Sequence, residues 1–313
     1  MTSNYKIIFF GTSEFAREIL RGLLSAGYEI QALVTQPDKM IGRHQILTPP
    51  PTKEVAQEYK ITILQPEKIK NDPEFINQIK ELNPDLIITA AYGQIIPKEI
   101  LDLPEFGTIN IHPSLLPKFR GASPIQSAIL AGERETGVTI MLMDEELDHG
   151  PILTQEKTEI APNETGQTLH DKLAQVGSKL LLRILPEWFK NQITPMEQNH
   201  SETTFTKTLT REDGRIDWSR SAEEIERQIR AYTPWPGSFT EFDDKRLKVI
   251  KTRPFGASKA EIGKVFKTEQ SDLVVNCGKN GLILEVVQLE GKKEMSQEEF
   301  LNGYPKIIGS ILK

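Results

Sequence analysis

Two kinds of apolar spacing alternate along the first two hundred residues. Short runs of apolar and β-branched residues predict strands, and the stretches between them carry apolar residues at the spacing of an amphipathic helix, as at Phe15, Ile19 and Leu23. The predicted strands span residues 6–10, 30–35, 61–64, 86–89, 108–112 and 138–143, and further helices span 54–59, 73–82 and 124–131. This alternation predicts an α/β fold with a Rossmann-like, doubly wound parallel sheet.

The second half of the chain has a different pattern. A long helical repeat over 168–189 is followed by the polar stretch 192–206, which has the composition of a linker. After it we predict a helix over 222–232 and short strands at 238–242, 247–252, 264–268, 273–277 and 282–289. Short strands separated by turns are typical of a small β-barrel. We therefore expect an N-terminal domain over 1–191, the linker, and a C-terminal domain over 207–313.

Composition narrows the class of protein. A chain of 313 residues, 38% of them hydrophobic, can bury two cores, and it has no apolar run of transmembrane length. The apolar segment 7–10 is too short for a secretory signal. A single cysteine, Cys277, excludes an intramolecular disulfide framework and fits a reducing compartment. We therefore expect a cytoplasmic protein with no membrane association.

Charge is unevenly distributed. The net charge of −6 argues against a non-specific nucleic-acid coat. Residues 207–313 nevertheless carry 19 Lys and Arg against 17 Asp and Glu, whereas the preceding residues carry 19 against 27. A local basic face in the second half could contact phosphates within about one Debye length, ~8 Å. A solvated surface of mixed charge explains the same distribution equally well.

Three residues are candidates for catalysis. Asn110 and His112 lie two residues apart on a predicted strand and therefore on the same face, and Asp148 follows in a later loop. An asparagine amide can donate to an oxygen that gains negative charge, an imidazole can transfer a proton near neutral pH, and a carboxylate can fix the imidazole tautomer. This set suits acyl transfer through a tetrahedral intermediate, although an isolated Asn-x-His could equally make structural turn hydrogen bonds.

The sequence offers no protein nucleophile to accompany these residues. It lacks a Gly-x-Ser-x-Gly motif, Cys277 is far downstream, and Ser114 follows a proline that makes its reach to His112 uncertain. We therefore favour direct attack by a substrate amine. A metal centre is not expected, because no His-Glu-x-x-His or paired-cysteine spacing occurs.

Gly11 ends the first predicted strand at the place where nucleotide-binding folds carry glycines. The following residues lack the second and third glycines that allow close approach of a pyrophosphate. We therefore do not expect nicotinamide binding. Ser13 is instead predicted to cap the helix that follows.

Several ordered motifs carry a family resemblance. Around the candidate residues are Asn-x-His with Ser-Leu-Leu-Pro (110–117), Phe-Arg-Gly-Ala-Ser-Pro-Ile-Gln (119–126) and Glu-Thr-Gly-Val-Thr-Ile (135–140) leading to Leu-Asp (147–148). Further motifs lie at residues 7–12, 35–38, 91–93, 215–218, 234–236 and 292–295. Together they resemble the folate-dependent formyltransferases over essentially the whole chain. His149 departs from the family, which usually has Thr there.

The resemblance implies a reaction and roles for residues. The formyl donor would be 10-formyltetrahydrofolate, and the acceptor would be the α-amino group of methionine on initiator tRNA. Asn110 and His112 would stabilise the formyl oxygen, and Asp148 would pair with His112 and help to remove the amine proton. The C-terminal domain would be OB-like and would hold tRNA. No obligate protein partner is implied.

The resemblance also implies binding residues. Folate would contact the family segment Ser114, Leu115, Leu116 and Pro117 and two loops that include Ala90, Tyr92, Gln94 and Asp144. The stretch 36–52 is too long for a routine connection, and the resemblance makes it the loop that enters the tRNA acceptor end, with Lys39 and Arg43. Phosphate contacts are expected at Arg227, Arg230 and Lys248, with Lys245, Arg246 and Lys251 as further candidates. Each of these, taken alone, is also consistent with loop packing or a solvated charge.

Two alternatives stay open at this point. Formyl transfer to an amino-sugar nucleotide or another small amine would use the same catalytic half, and the loop with Arg43 favours tRNA over it. A non-catalytic RNA- or folate-binding protein would not require Asn110, His112 and Asp148 together.

Overall fold

The computed structural model describes residues 5–42, 45–257 and 260–313. These residues form two compact units. Unit 1 comprises the described residues of Met1–Pro124, Glu135–Glu159 and His170–Thr206. Unit 2 comprises those of Ile125–Arg134, Ile160–Leu169 and Lys207–Lys313. None of the helices formed by the described residues has the length and apolar character that crossing a membrane requires.

Among the described residues before 207, the structure has eleven strands and six helices. The strands are β1 Ile7–Gly11, β2 Ile30–Val34, β3 Lys39–Ile41, β4 Ile46–Thr48, β5 Thr62–Leu64, β6 Leu86–Ala90, β7 Thr108–His112, β8 Arg120–Gly121, β9 Glu135–Leu142, β10 Ile152–Glu159 and β11 Phe205–Thr206. The helices are α1 Glu14–Ser25, α2 Pro51–Glu58, α3 Pro73–Leu82, α4 Lys98–Leu101, α5 Pro124–Ala131 and α6 Gly166–Trp188. A short 3₁₀ turn spans His200–Glu202.

The main sheet of unit 1 has seven strands in the order β10-β9-β7-β6-β1-β2-β5. The chain moves from β1 through β2 to β5 and then returns to β6 on the other side of β1, and the strands from β7 to β5 pair in parallel. The doubly wound parallel sheet is therefore confirmed. β9 and β10 extend it as antiparallel strands, as many otherwise parallel sheets do at an edge. The change of direction puts a crevice at the carboxyl ends of β1, β6 and β7.

Burial explains the strand pattern. Every residue of β1 and β6 is buried, because a parallel strand between covered faces needs a continuous apolar run. β10 was not predicted, since only Ile152 and Leu153 are buried and the rest of this edge strand alternates between partly and fully exposed polar residues. The β3–β4 hairpin was also missed, and its strands are almost wholly exposed.

The turn from β1 to α1 shows why glycine follows the first strand. A Cβ on Gly11 would lie 2.7 Å from Ala16 Cβ and 2.6 Å from Phe9 Cε1, so the glycine permits close helix–strand packing. Ser13 occupies the N-cap position of α1, as predicted, but its side chain makes no capping hydrogen bond. Its Oγ is buried without a partner among the described residues.

Unit 2 is built on an antiparallel sheet. Its strands are β12 Ser238–Phe242, β13 Lys245–Phe255, β14 Val265–Lys267, β15 Leu273–Asn276, β16 Gly281–Leu289 and β17 Met295–Ser296, in the order β12-β13-β16-β15-β14 with β17 beside β16. The helices are α7 Ala222–Ala231 and α8 Gln297–Gly303, with 3₁₀ turns at Arg211–Gly214 and Pro305–Ile307. The C-terminal all-β domain is confirmed. α8 was not predicted, although Ser296 and Glu299 form a capping box that marks its start.

The predicted linker, residues 192–206, belongs to unit 1. Met196 bridges to Ile152 beside the main sheet, and β11 pairs in parallel with β8. Polar composition suggested a linker, but these backbone pairings hold the segment against the unit. The division of the chain at residues 191 and 206 stays a prediction.

Candidate active site

The carboxyl end of β7 presents Asn110 and His112 on one face. Asn110 is half-buried and His112 is buried. β6 lies beside β7 with Thr89 opposite Asn110, and Thr89 Oγ1 donates to Asn110 Oδ1 at 2.8 Å. Because the amide oxygen is engaged by this hydroxyl, the Asn110 Nδ2 group is oriented as a donor into the crevice.

Asp148 completes the cluster from the loop after β9. Its Oδ1 accepts from Asn110 Nδ2 at 3.3 Å and lies 3.6 Å from His112 Nδ1. Its Oδ2 accepts from the backbone N–H of Gly121 at 2.8 Å. The three predicted catalytic side chains therefore meet around one carboxylate, and Gly121 is a fourth participant that the sequence reasoning did not single out.

Hydrogen bonding assigns a tautomer to His112. Its Nε2 lies 3.0 Å from the Phe119 carbonyl oxygen, which can only accept, so Nε2 carries the proton in the neutral ring. Nδ1 is then a lone pair that faces Asp148 across 3.6 Å. Nδ1 and Asp148 Oδ1 are therefore adjoining atoms that both have lone pairs to accept a proton.

The arrangement combines a donor with a proton acceptor. Asn110 Nδ2 has two hydrogens, and its described bond to Asp148 uses one of them. The other can donate to a carbonyl oxygen that gains charge, while the His112–Asp148 pair receives a proton. Within the described ranges, no group of three His, Cys, Asp or Glu side chains is arranged to hold a metal ion.

Cys277, the only cysteine in the sequence, has an unreactive thiol. Burial, and to a smaller extent Glu223, raises the pKa of the Cys277 thiol to about 12. Since the thiolate is the reactive form, Cys277 is a poor nucleophile near neutral pH.

The segment from Ser114 to Pro117 forms a rigid turn beside the cluster. Ser114 is fully buried, and its Oγ donates to the Lys118 carbonyl at 2.7 Å. The Leu116 N–H donates to Thr139 Oγ1 at 3.1 Å, and the Leu116 carbonyl accepts from Gln155 Nε2 at 2.8 Å. Leu115 and Pro117 are partly exposed. Of the four predicted folate residues, these two offer a surface to a ligand, and Ser114 and Leu116 support it.

The loop after β6 carries three more predicted folate residues. Ala90 is fully buried. Tyr92 is buried, its pKa is raised by that burial, and its carbonyl accepts from Thr12 Oγ1 and Gln36 Nε2. Gln94 accepts from the Ile69 N–H and donates to the Glu67 carbonyl. The side chain of Gln94 is thus engaged within the protein. The Tyr92 hydroxyl is buried and has no hydrogen-bond partner among the described residues, whereas its backbone carbonyl is occupied.

Asp144 begins the loop that contains Asp148. Its Oδ1 accepts from the Glu146 N–H at 2.9 Å, and its Oδ2 lies 2.6 Å from His149 Nδ1. The His149 ring stacks on that of His200 with centroids 4.2 Å apart. His149, where the chain departs from the family's usual Thr, therefore ties this loop to the segment 198–202.

The predicted tRNA loop forms a two-stranded hairpin with an apolar surface. Lys39 lies on β3 and is exposed, whereas Arg43 lies outside the described residues. At the base, Asp38 accepts from Gln65 and Lys53, and these bonds hold the pKa of its carboxyl below the ordinary value. The exposed apolar side chains, each more than half accessible, are Met40, Ile41, Ile46 and Leu47.

The predicted phosphate-binding residues of unit 2 differ in their availability. Arg227 donates to the Leu130 carbonyl, and Arg230 makes two hydrogen bonds to Glu226 and one to the Glu164 carbonyl. Lys248 is exposed on β13 and has no ion pair within the described part of the chain. Lys245 is exposed as well, Arg246 stacks over the Phe239 ring at 3.8 Å, and Lys251 pairs with Glu285 at 3.3 Å.

Both the N-terminal and the C-terminal part of the chain match families of known proteins. The family described as Formyl transferase matches residues 5–185, and Formyl transferase, C-terminal domain, matches residues 208–305. A methionyl-tRNA formyltransferase of Caldanaerobacter subterraneus subsp. tengcongensis is 45% identical over 98% of this chain and 100% of its own length. One from Citrifermentans bemidjiense is 44% identical, over 98% of this chain and 96% of its own.

Solved structures share the fold at lower identity. An N-formyltransferase from Helicobacter canadensis, solved with folinic acid and dTDP-3-aminofucose, is 19% identical, with a TM-score of 0.66 over 90% of this chain and 98% of that one. HypX from Aquifex aeolicus, solved with tetrahydrofolic acid, is 17% identical, with a TM-score of 0.65 over 98% of this chain and 48% of that one.

Proposed function

This chain belongs to the methionyl-tRNA formyltransferases, and from that membership we propose its full reaction. The donor is 10-formyltetrahydrofolate, the acceptor is the α-amino group of methionine on initiator tRNA, and the amine attacks the formyl carbon directly. The meeting of Asn110, His112 and Asp148 at the carboxyl end of β7 is the observation that carries this proposal. The product would support translation initiation, in the cytoplasm.

Asn110 is proposed to stabilise the oxyanion. The bound donor supplies an activated one-carbon carbonyl, and attack places negative charge on its oxygen. The Nδ2 group of Asn110 is held outward because Thr89 engages the other end of the amide, so it is preorganised as a donor. Preorganisation matters because a donor that is already oriented needs no rearrangement when charge develops. Donation from His112, which we also predicted, would require its Nε2 bond to Phe119 to be exchanged.

The His112–Asp148 pair is proposed to receive the amine proton. An α-amino group has a reference pKa of about 7.7, so a large fraction of it is neutral near physiological pH and can attack without activation. After attack the nitrogen carries an extra proton. The His112 Nδ1 lone pair and Asp148 Oδ1, 3.6 Å apart, offer two adjoining acceptors for that proton, directly or through a water. Collapse of the tetrahedral intermediate then breaks the bond between the formyl carbon and N10 of the donor, and the proton passes to that nitrogen as tetrahydrofolate leaves.

The residues beside the cluster fit a folate donor. Leu115 and Pro117 are partly exposed on a turn that Ser114 and Thr139 hold rigid, and such a surface suits a flat ring system. Ala90, Tyr92, Gln94 and Asp144 would frame the pterin mainly through their backbone groups. We propose that this turn and these two loops hold the donor.

Initiator tRNA is proposed to use two separate surfaces. The hairpin of β3 and β4 carries Lys39 and four exposed apolar side chains, and Arg43 lies in the same loop; together they suit the base and phosphate surfaces of an acceptor end. In unit 2, Lys248 is a proposed phosphate contact that is exposed and has no ion pair among the described residues. Arg227 and Arg230 would contribute only if their present bonds were exchanged.

One assay tests the reaction and its acceptor. The protein is incubated with 10-formyltetrahydrofolate and, in parallel, with methionine-charged initiator tRNA, methionine-charged elongator tRNA or an amino-sugar nucleotide. We expect formylmethionine to form on initiator tRNA at a far greater kcat/KM than on the other acceptors. Preferential transfer to the sugar nucleotide, or no transfer to any of them, would overturn the proposal.

A further inference from the structure

Gln198 lies buried behind the turn that carries Asp148. It is 5% exposed, and both ends of its side-chain amide are engaged. Its Nε2 donates to the carbonyl of Asp148 at 2.9 Å and to that of Gly150 at 2.8 Å. Its Oε1 accepts from Arg120 Nε at 3.2 Å and from Arg120 Nη2 at 2.7 Å. Both N–H hydrogens of the Gln198 amide are therefore bonded to carbonyls of the same backbone turn, residues 148–150.

Arg120 holds Gln198 from the other side. Arg120 is 3% exposed, and the described partners of its guanidinium are the neutral oxygen of Gln198 and Nδ1 of His200, at 2.9 Å, rather than a carboxylate. A buried charge with neutral partners is costly, and it polarises the amide that it contacts. The residue after Arg120 is Gly121, whose N–H donates to Asp148 Oδ2. β8, which consists of Arg120 and Gly121, therefore contacts the Asp148 carboxylate directly through Gly121. It contacts the Asp148 backbone indirectly, through Arg120 and Gln198.

The backbone of this turn has an unusual conformation at Asp148 and a close contact at Gly150. Asp148 has φ of 49°, in the left-handed region that most residues avoid. At Gly150 a Cβ would lie 2.2 Å from the Leu142 carbonyl oxygen, so no other residue fits there. Two carbonyls that point to one buried amide fix the directions of the 148–149 and 150–151 peptide planes, and the first of these planes fixes where the Asp148 side chain leaves the backbone.

We propose that Gln198, oriented by Arg120, is a positioning residue for the Asp148 carboxylate. The inference rests on the proposed function, in which Asp148 receives a proton beside His112, and it adds a residue that does not itself touch the substrates. A carboxylate displaced by about 1 Å would lose its alignment with His112 and Asn110, and such a displacement can slow a reaction ~100-fold.

Two substitutions separate the contacts of Gln198. Gln198→Glu keeps an acceptor for Arg120 but cannot donate to the two carbonyls, whereas Gln198→Ala removes both functions. We expect each to lower kcat ~10- to 100-fold, with the KM for donor and for tRNA changed less than ~3-fold. Gln228→Ala is the matched control, since Gln228 is also buried and donates to two carbonyls, Gly214 and Arg215, within unit 2. It should lose stability to a similar extent while kcat is unchanged.

Hydrogen exchange provides a readout that does not need activity. In Gln198→Glu, the Gly121 amide, which donates to Asp148, should exchange at least ~10-fold faster than in the wild type, while amides of β6 and β7 keep their protection. Unchanged kcat together with unchanged Gly121 exchange in Gln198→Glu would overturn the inference, even if Gln198→Ala failed to fold. A wild-type protein that transfers no formyl group would overturn the proposed function instead, and Gly121 exchange would still decide whether Gln198 holds the turn.

Discussion

Asn110 donates from Nδ2 to Oδ1 of Asp148 at 3.3 Å, although the two residues are 38 positions apart in the chain. Their pairing gives the amide group a fixed direction and leaves its second hydrogen for an incoming oxygen. An oxyanion donor and a proton acceptor are thereby held at contact distance before any substrate binds.

Asn110→Ala should abolish most of the activity without unfolding the protein. Removing a single oxyanion donor typically lowers turnover ~10²- to 10³-fold. We expect a fall of that size in kcat, with KM values changed little, in steady-state formylation of charged initiator tRNA. Wild-type turnover by purified, folded Asn110→Ala would contradict the role proposed for this residue.

Thr89→Val should have a smaller effect of the same kind. The substitution keeps the shape of the buried side chain but removes the hydroxyl that donates to Asn110 Oδ1 at 2.8 Å, so the amide is no longer held with Nδ2 outward. We expect kcat to fall about 5-fold, in line with one lost neutral hydrogen bond of ~1 kcal/mol. Thr89→Ser retains the hydroxyl and is the control. Equal activities for Val and Ser at this position would show that the hydroxyl does not orient Asn110.

The sequence predicted the side chains of this site better than the backbone around them. Strand periodicity placed Asn110 and His112 on one face, and the chemistry of the two groups pointed to a carboxylate partner. The contact between Gly121 and Asp148 gave no such signal, because a backbone N–H has no residue type. Gln198 was also missed, since a polar residue in a polar stretch looks solvated until the fold buries it.

Strands and helices, too, could be predicted only where burial leaves a periodic pattern in the sequence. The strand over 108–112 and the helix over 73–82 are found with the predicted bounds, because their apolar periodicity reflects burial on definite faces. The edge strand β10 and the exposed hairpin of β3 and β4 carry little periodicity, since little of either is buried. Their pairing depends on neighbouring strands, and local sequence does not record it.

His149→Thr should weaken the protein slightly and leave catalysis nearly intact. The change removes the bond to Asp144 at 2.6 Å and the stack on His200. Both groups are partly exposed, so we expect a loss of about 0.5 to 1.5 kcal/mol in the free energy of unfolding, measured by urea titration. Because Gln198 still holds the turn, kcat should stay within about 3-fold of the wild type. A 100-fold loss of kcat would show that His149 itself orients Asp148.

The stabilisation that Glu224 gives to unit 2 should be lost in acid. It closes the capping box of α7, and hydrogen bonds from the Ser221 side chain and backbone, together with Arg220, lower the pKa of its carboxyl from 4.5 to about 2. A depressed folded-state pKa stabilises the fold above the unfolded value and loses that stabilisation as pH falls toward the folded value. Glu224→Gln should therefore be less stable than the wild type near neutral pH, by less than about 1 kcal/mol because the group is partly exposed and screened by solvent. The difference should shrink between about pH 4.5 and pH 2 in denaturant unfolding. A gap that widens toward acid would contradict the assignment.

Lys248 and Arg230 were both predicted to contact phosphates, and the structure gives a means of separating them. Lys248 is exposed on β13, whereas Arg230 is largely buried and bonded to Glu226 at 2.5 and 3.0 Å. Lys248→Gln should reduce the slope of log affinity for tRNA against log salt by about 0.7 to 0.9, the loss expected for one phosphate contact. Arg230→Gln should instead lower the free energy of unfolding by about 1 to 2 kcal/mol, because it leaves a partly buried carboxylate without its partner.

Lys248→Gln is expected to change the binding of RNA and Arg230→Gln the stability of the protein, so the two results can be told apart. Affinity is measured by filter binding of initiator tRNA over a range of salt concentrations, and stability by urea unfolding of each variant. If Arg230→Gln reduced the salt slope and kept full stability, its bond to Glu226 would be one that tRNA replaces. If Lys248→Gln left the slope unchanged, Lys248 would lie outside the RNA footprint, and the phosphate contacts of unit 2 would have to be sought among its other basic residues.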